Sequence, residues 1–496
     1  MENTKITKRN LWCFPLGTVG RDMVYALVSN FMLTYIMFTR TLTKAQLGAI
    51  TAIMVSARIF DALNDPLMGN IIERTRSKWG KFKPWLLAGA ISTTGVIVFL
   101  FNTHLTGWAF IVAFGISYFM FSITYTMNDI SYWGMIPALS RDGDARNAFT
   151  SRATLFAGIG NGLASVAIPL LTTGAFAIGG NAQSGYGMCA IIIGILAPAF
   201  LLITLFGVKE NREDMAVKPE PVSFKKIFTT ISKNDQLLWV SLCFLLQQIG
   251  NNIVLGGIGS TYIYFTFGYN GGLYSTFTMV GMSASALLMI FYPAISKKFG
   301  RGRLLTMLAI LSGVGYAVMF ISAFLGTSKV GFWILTIGFM CASFAQYGYY
   351  LIMMISILNT VEYNQYKHGK RDEAIIASIR PFITKLSSAL MVLITSLTYM
   401  AFGVTDYTNK ISSLENEAAI GAISDAEKLD SISSTLSEVG KVQTWGLLLV
   451  MVILSATFLL ASYFIYKKKY KLDETEYNRI CSEIEKMGNS EALSKK

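Results

Sequence analysis

Long apolar runs alternate with short polar or basic segments along the whole 496-residue chain. A helix of about 20 apolar residues crosses the hydrocarbon core of a bilayer, and most of the runs come close to that length. The pattern therefore predicts an all-α polytopic membrane protein with twelve transmembrane helices. They are expected near residues 11–39, 47–72, 84–101, 108–136, 151–176, 188–206, 237–267, 273–293, 304–324, 330–358, 375–402 and 444–466.

Charged segments between the runs predict the orientation. Lys and Arg collect on the cytoplasmic side of a membrane. Segments 73–83 and 297–303 are strongly basic and follow the second and eighth spans, on the same side as both termini. Segment 403–441 is acidic and is expected outside. Both termini are therefore predicted to be cytoplasmic, with the first apolar run retained and not cleaved as a signal peptide.

The two matching basic segments predict a repeat of six plus six helices. The expected organisation is an amino-terminal half over 1–206, a cytoplasmic linker over 207–236, a carboxy-terminal half over 237–470 and a cytoplasmic tail over 471–496. Within the linker, Ser223 is expected to cap a short amphipathic helix on the membrane surface. Two such halves are typical of a secondary transporter.

The composition agrees with this class and excludes others. Hydrophobic residues make up 53% of the chain, and charged residues make up 14%, against about 25% in soluble proteins. The net charge of +13 does not indicate nucleic acid, because much of the basic excess flanks the apolar runs. The five cysteines form no CxxC pair, so neither a disulfide framework nor a metal site is expected from them. No Walker A loop is present, which disfavours ATP-driven transport, and no enzymatic activity is predicted.

One charged stretch interrupts the second predicted span. Arg58, Asp61, Asn64 and Asp65 recur at three- and four-residue spacing, so a helix places them on one face. Each ionised residue at bilayer depth costs about 2.5 kcal/mol or more. A buried Arg–Asp pair between helices is one interpretation. A cation site is the other, and it is favoured because one arginine cannot neutralise two aspartates.

Other polar residues also fall within predicted spans of the amino-terminal half. They are Arg21, Asp22, Tyr125, Thr126, Asp129, Trp133 and Arg152. Carboxylates and a guanidinium hydrogen-bond to hydroxyl groups, and an indole packs on the apolar face of a sugar ring. Trp133 follows Asp129 by four residues, so both can face one ligand. Two alternatives stay open: Arg152 as a cytoplasmic helix start and Trp133 as an interfacial anchor. Lys385, deep in the eleventh span, needs an anionic or hydrogen-bonding partner.

Several motifs are recognisable. Residues 58–69 read RIFDALNDPLMG and residues 75–85 read TRSKWGKFKPW. Further matches are DISYWGMIP at 129–137, KNDQL at 233–237 and VEYNQY at 361–366. With these motifs the chain resembles the glycoside–pentoside–hexuronide:cation symporters of the major facilitator superfamily, from about Arg9 to Tyr470.

The resemblance implies sugar uptake that is driven by Na⁺, Li⁺ or H⁺ through alternating access, with no other cofactor. It implies a cation site formed by Asp61, Asn64, Asp65 and Thr126. It implies sugar-binding roles for Asp22, Asp129, Trp133 and Arg152, with Arg21 and Tyr125 beside them. Lys385 is expected near the cation-site acids, and Arg58 is expected to be a structural partner.

The sequence leaves the cargo open between galactosides, xylosides and glucuronides. Arg380 and Pro381 replace smaller polar residues of the family before Lys385, and Asn359 stands where relatives often have aspartate. Arg380 would suit an acidic sugar such as a hexuronide, or it pairs within the protein. A lipid-like solute and a non-transporting sensor are the alternative functions. The expected partners are a sugar or glycoside, a monovalent cation and membrane lipid, for a monomer in the plasma membrane without a fused regulatory domain.

Overall fold

The computed structural model describes residues 2–140, 143–209, 224–370 and 372–494, and nearly all of them are helical. The amino-terminal helices are α1 (Glu2–Thr39), α2 (Lys44–Arg74), α3 (Lys83–Asn102), α4 (Gly107–Gly134), α5 (Ile136–Leu139), α6 (Gly143–Thr172) and α7 (Ala182–Gly207). The middle helices are α8 (Phe224–Lys233), α9 (Asp235–Leu255), α10 (Gly257–Phe267), α11 (Gly271–Phe299), α12 (Arg301–Ile321) and α13 (Lys329–His368). The last helices are α14 (Glu373–Ala401), α15 (Val404–Ala419), α16 (Asp425–Ser437), α17 (Lys441–Leu449), α18 (Ser455–Lys469) and α19 (Glu474–Ser494).

The number of membrane-spanning helices agrees with the prediction. Among the described residues, 10 helical segments are long and apolar enough to cross a membrane. Two further helices have comparable lengths: α2, with 31 residues, carries the charged stretch, and α11 has 29. Together they make the twelve spans of the predicted fold, so the protein is an all-α, multi-pass membrane protein.

The seventh predicted span, 237–267, is not one helix. Gly256 has an extended backbone (φ −79°, ψ −168°) and separates α9 from α10. The Tyr399 hydroxyl donates a hydrogen bond of 2.6 Å to the Gly257 carbonyl and lies 2.6 Å from the Thr261 hydroxyl. Tyr399 thereby fastens the first turn of α10 to α14.

Polar segments contain more helix than the hydrophobic pattern predicts. Segment 403–441 holds α15 and α16, and the predicted tail holds α19. In the predicted linker, residues 210–223, which include Ser223, lie outside the described residues. The expected short helix is present directly after them as α8.

The chain forms two compact units. The first comprises Met1–Pro221, Gly256–Met279 and Val392–Leu447, and the second comprises Val222–Leu255, Val280–Met391 and Leu448–Lys496. The division into halves at 206 and 237 stays a prediction. All residues of the charged stretch in α2 and of the predicted sugar site belong to the first unit.

Small residues bring helices of the first unit close together. A Cβ at Gly160 on α6 would lie 2.2 Å from the Val19 carbonyl oxygen on α1. A Cβ at Gly89 on α3 would lie 2.8 Å from the backbone nitrogen of Asn128 on α4. Close backbone approach through glycine is the usual packing of membrane helices. It holds α1 and α4, which carry the predicted sugar-binding acids, against their neighbours.

A buried ion pair anchors segment 403–441 in the first unit. The Lys428 Nζ lies 3.6 Å from the Glu415 carboxylate, and both side chains are 1% exposed. Glu415 also accepts a 2.6 Å hydrogen bond from the Ala182 backbone N–H, and Lys428 donates to the Gly180 carbonyl. Burial raises the pKa of the Glu415 carboxyl, and the Lys428 ammonium opposes that shift. The segment is therefore fastened to the start of α7.

The second unit is held by polar contacts between α9, α13 and α18. The Gln247 amide donates to Gln346 at 3.0 Å, and the Ser462 hydroxyl lies 3.0 Å from the Tyr349 hydroxyl. Helix α19 adds an ion pair, because Glu474 lies 3.5 Å from the Arg301 guanidinium. Such hydrogen bonds between membrane helices stabilise by about 0.6 kcal/mol each on average.

Candidate functional site

Helix α2 carries the charged stretch on a buried face. The helix begins with a capping box in which the Gln46 backbone N–H donates to the Thr43 hydroxyl and the Thr43 backbone N–H donates to the Gln46 side-chain oxygen. Its helical periodicity then places Arg58, Asp61 and Asn64 inside the unit, each no more than 7% exposed. The predicted common face is therefore observed for these three residues.

Two hydroxyl groups of α4 meet the two carboxylates of α2. The Thr126 hydroxyl donates a hydrogen bond of 3.2 Å to Asp65 Oδ1. One turn earlier on the same helix, the Ser122 hydroxyl donates to Asp61 Oδ1. The resemblance predicted the first contact. Ser122 was not predicted, although it precedes Thr126 by the same four residues that separate Asp61 from Asp65.

Arg58 joins the charged stretch of α2 to α1. Its Nη1 lies 3.6 Å from Asp61 Oδ2, and its Nη2 donates a 3.0 Å hydrogen bond to the Ser29 hydroxyl on α1. The Asn64 Nδ2 is buried and has no hydrogen-bond partner among the described residues. The stretch thus offers carboxylate, hydroxyl and amide groups along one face of α2.

A second charged cluster lies on α1 and α4. The Arg21 guanidinium bonds Asp22 Oδ2 at 2.8 and 3.1 Å and lies 3.1 Å from Asp129 Oδ1. The Asp22 and Asp129 side chains are 17% and 35% exposed, whereas Arg21 is 6% exposed. Both carboxylates are partly exposed and have several lone pairs, so they can accept from a ligand hydroxyl.

Aromatic rings surround this cluster. The Arg21 guanidinium lies 4.7 Å from the Tyr132 ring centroid and 5.1 Å from that of Trp133. Tyr132 is held by its hydroxyl, which donates to the Phe14 carbonyl at 2.5 Å, and by stacking on the Phe14 ring. Tyr125 lines a crevice with Arg21. Four of the predicted sugar-site residues thus adjoin one guanidinium.

Arg152 and Lys385 are the remaining predicted residues. The Arg152 guanidinium donates to the Leu11 carbonyl at 3.3 Å and lies 5.0 Å from the Trp12 ring centroid. Ten residues of helix separate Trp12 from Asp22, a rise of about 15 Å. Lys385 lies on α14 in the second unit. The roles assigned to both residues stay predictions.

Comparison with known proteins decides the family. The sequence profile described as "MFS/sugar transport protein" matches residues 13–474. The chain belongs to this family. The resemblance to the glycoside–pentoside–hexuronide:cation symporters is thereby confirmed, as is the prediction that the protein is a transporter and not an enzyme.

Relatives within the MFS/sugar transport family include named sugar carriers. The lactose permease of Leuconostoc lactis is 30% identical over 400 residues, which are 76% of this chain and 60% of that protein. This chain thus spans less than two thirds of that permease. The raffinose carrier protein of Pediococcus pentosaceus is 28% identical over 497 residues, 95% of this chain and 71% of that protein.

Solved structures show the same fold. The D-xylose–proton symporter superposes with a TM-score of 0.59 over 93% of this chain and 98% of that chain, at 14% sequence identity. At this identity the likeness concerns the fold alone. It confirms the predicted major facilitator architecture.

Proposed function

We propose that this protein is a cation-coupled symporter that carries a neutral sugar or glycoside into the cell by alternating access. The observation that carries the proposal is a pair of separate carboxylate clusters in one unit. One cluster is matched to hydroxyl groups of a neighbouring helix. The other surrounds a guanidinium beside an indole ring. The named functions of the relatives, lactose and raffinose carriage, support the same class of cargo.

The cation is assigned to Asp61, Asn64, Asp65 and Thr126. Carboxylate, amide and hydroxyl oxygens are hard ligands of the kind that small inorganic cations prefer. Arg58 offsets one of the two aspartates through its 3.6 Å contact with Asp61. The four residues belong to one set of ligands, so we expect one Na⁺, Li⁺ or H⁺ to move with each sugar.

The sugar is assigned to Asp22, Asp129 and Trp133, with Arg21 and Tyr125 beside them and Arg152 as a further contact. Arg21 holds both carboxylates in place, and these would accept from hydroxyl groups of the ligand. The cluster around Arg21, without Arg152, has two carboxylates and one guanidinium and so carries one net negative charge. A neutral glycoside therefore suits this cluster better than an anionic hexuronide, which like charges would repel.

Coupling follows from charge compensation. An ion-bearing site that is not neutralised opposes the movement of its helices through a low-dielectric environment. The cation would bind first, and the sugar would then bind with higher affinity. By linkage, the sugar must strengthen cation binding by the same factor. Lys385 is expected to act in this coupling, near the acids of the cation site.

The basic segments support a cytoplasmic location for both termini, and we propose that segment 403–441 lies outside and that the protein resides in the plasma membrane. Uptake by purified protein in vesicles with an imposed Na⁺, Li⁺ or H⁺ gradient tests the whole proposal. The assay should compare lactose, raffinose, a xyloside, a glucuronide and a lysolipid. Accumulation of a neutral glycoside under at least one gradient is expected. Accumulation of the lysolipid alone, or of no cargo under any gradient, would refute the proposal.

Asp129→Asn is expected to weaken sugar binding. The change removes a charged acceptor and one of the two partners of Arg21. Loss of one hydrogen bond to a charged group lowers the sugar affinity by about 10- to 100-fold. Equilibrium binding of a labelled sugar at saturating cation measures the effect. The control is Asp430→Asn, the same change at an exposed position on α16. Equal sugar affinities of Asp129→Asn and Asp430→Asn would show that Asp129 does not contribute to the sugar site.

A further inference from the structure

Helices α2 and α4 are joined by two equivalent contacts. Asp61 and Asp65 are one turn apart on α2, and Ser122 and Thr126 are one turn apart on α4. Each hydroxyl donates to the Oδ1 of the carboxylate at the same level. The two contacts repeat because residues at i and i+4 lie on one face of a helix, and these faces of α2 and α4 pack against each other.

The Asp61–Ser122 contact and the Asp65–Thr126 contact differ in the other residues around them. Asp61 is also approached by Arg58, and its neighbour Ser122 is 4% exposed. Asn64 lies between the two aspartates in sequence, is 7% exposed, and has a buried Nδ2 without a hydrogen-bond partner among the described residues. A buried polar group without a partner costs free energy unless a ligand or a change of orientation satisfies it. Rotation of this amide would turn its oxygen into the same space.

We infer that Ser122 is a specificity-determining residue of the cation site. Its hydroxyl supplies an oxygen ligand that Na⁺ or Li⁺ requires and that a proton does not. The inference rests on the proposed function, because it extends the site formed by Asp61, Asn64, Asp65 and Thr126.

The chemistry of a hydroxyl explains this role. A serine hydroxyl has one donor and two acceptor lone pairs. When Ser122 donates its proton to Asp61, its lone pairs remain available for a metal cation, which needs several oxygen ligands at once. A transported proton needs only one carboxylate oxygen. The presence of the hydroxyl should therefore favour Na⁺ and Li⁺ over H⁺.

Ser122→Ala tests the inference in the full-length protein. We expect the Na⁺ and Li⁺ concentrations for half-maximal stimulation of sugar binding to rise by about tenfold or more, because one contact to a charged site is lost. Ser122→Thr keeps the hydroxyl and should restore the wild-type values. The ratio of Na⁺-driven to H⁺-driven sugar uptake should fall in Ser122→Ala and return to the wild-type ratio in Ser122→Thr.

Ser117→Ala is the matched control. Ser117 lies on the same helix and is also buried, with 6% exposure, and no hydrogen bond joins it to Asp61. The inference would be overturned if Ser122→Ala kept the Na⁺ and Li⁺ concentrations for half-maximal stimulation that the wild-type protein has. It would also be overturned if neither Na⁺ nor Li⁺ stimulated sugar binding by the wild-type protein. Asp61→Asn distinguishes a failure of the proposed cation site from a failure of the role of Ser122 alone. If that variant keeps all cation stimulation, the proposed site itself is wrong, and not only the role of Ser122.

Discussion

Replacing Asp65 by asparagine is expected to abolish cation-driven accumulation of the sugar. Asp65 accepts from Thr126 and belongs to a face that carries two carboxylates and one guanidinium. The asparagine removes one of the two carboxylate ligands of the proposed cation site, so the cation gradient loses its connection to the sugar. Vesicle uptake under imposed Na⁺ and H⁺ gradients measures this, and the internal sugar concentration should not exceed the external one.

Exchange of labelled for unlabelled sugar provides the internal control for Asp65→Asn. Exchange needs the sugar site and the conformational cycle but no cation gradient, so it should survive. Asp430→Asn, on the exposed face of α16, removes the same charge outside the site and should accumulate sugar normally. Concentrative uptake that persists after both Asp61 and Asp65 are replaced would disprove the assignment.

Replacing Glu415 by glutamine is expected to destabilise the protein more than any other change to segment 403–441. The substitution leaves the Lys428 ammonium, which is 1% exposed, without its carboxylate partner. Removing one partner of a buried ion pair lowers the free energy of unfolding by about 3–5 kcal/mol. Thermal unfolding of the full-length protein in detergent should show a melting temperature several degrees lower.

The same segment offers a matched control for the buried pair. Lys410 and Glu438 form an ion pair whose side chains are 54% and 56% exposed. Lys410→Gln should leave the melting temperature unchanged, because solvent-exposed pairs contribute little. Glu415→Leu combined with Lys428→Met removes both buried charges and should recover part of the lost stability, because the Ala182 N–H and the Gly180 carbonyl still lose their side-chain partners. Equal shifts for Glu415→Gln and Lys410→Gln would show that the buried pair does not stabilise the segment.

Much of the candidate cation site could be predicted from the chain itself. The spacing of Asp61, Asn64 and Asp65 requires a shared helical face, and the bilayer makes that face expensive unless it has a partner. Thr126 came from the resemblance to a family. Its contact with Asp65 is present at 3.2 Å. Each of these arguments depends on local periodicity or on motifs that are contiguous in sequence.

Other contacts could not be predicted from the sequence. Ser122 is one of several hydroxyl-bearing residues in an apolar run, and its contact with Asp61 forms only when α4 packs beside α2. The contact of Arg152 with the Trp12 ring joins α6 to α1 and carries no signal in the sequence, and the sugar-binding role of Arg152 stays a prediction. Glu415 contributed to the charge of an acidic segment, yet it is buried against Lys428 and the start of α7. The composition gives the number of charged residues but does not show which of them become buried when the chain folds.

The sequence by itself determined the membrane class, the twelve spans and the helical face of α2 that carries paired carboxylates. These properties follow from the energy of placing apolar and charged groups in a bilayer, which depends on each segment separately. Only the tertiary structure decided which hydroxyl meets which carboxylate, where the seventh span breaks and which charges of segment 403–441 are buried. These properties depend on helices that are distant in sequence, and their contacts are set by the packing of side chains across the interface.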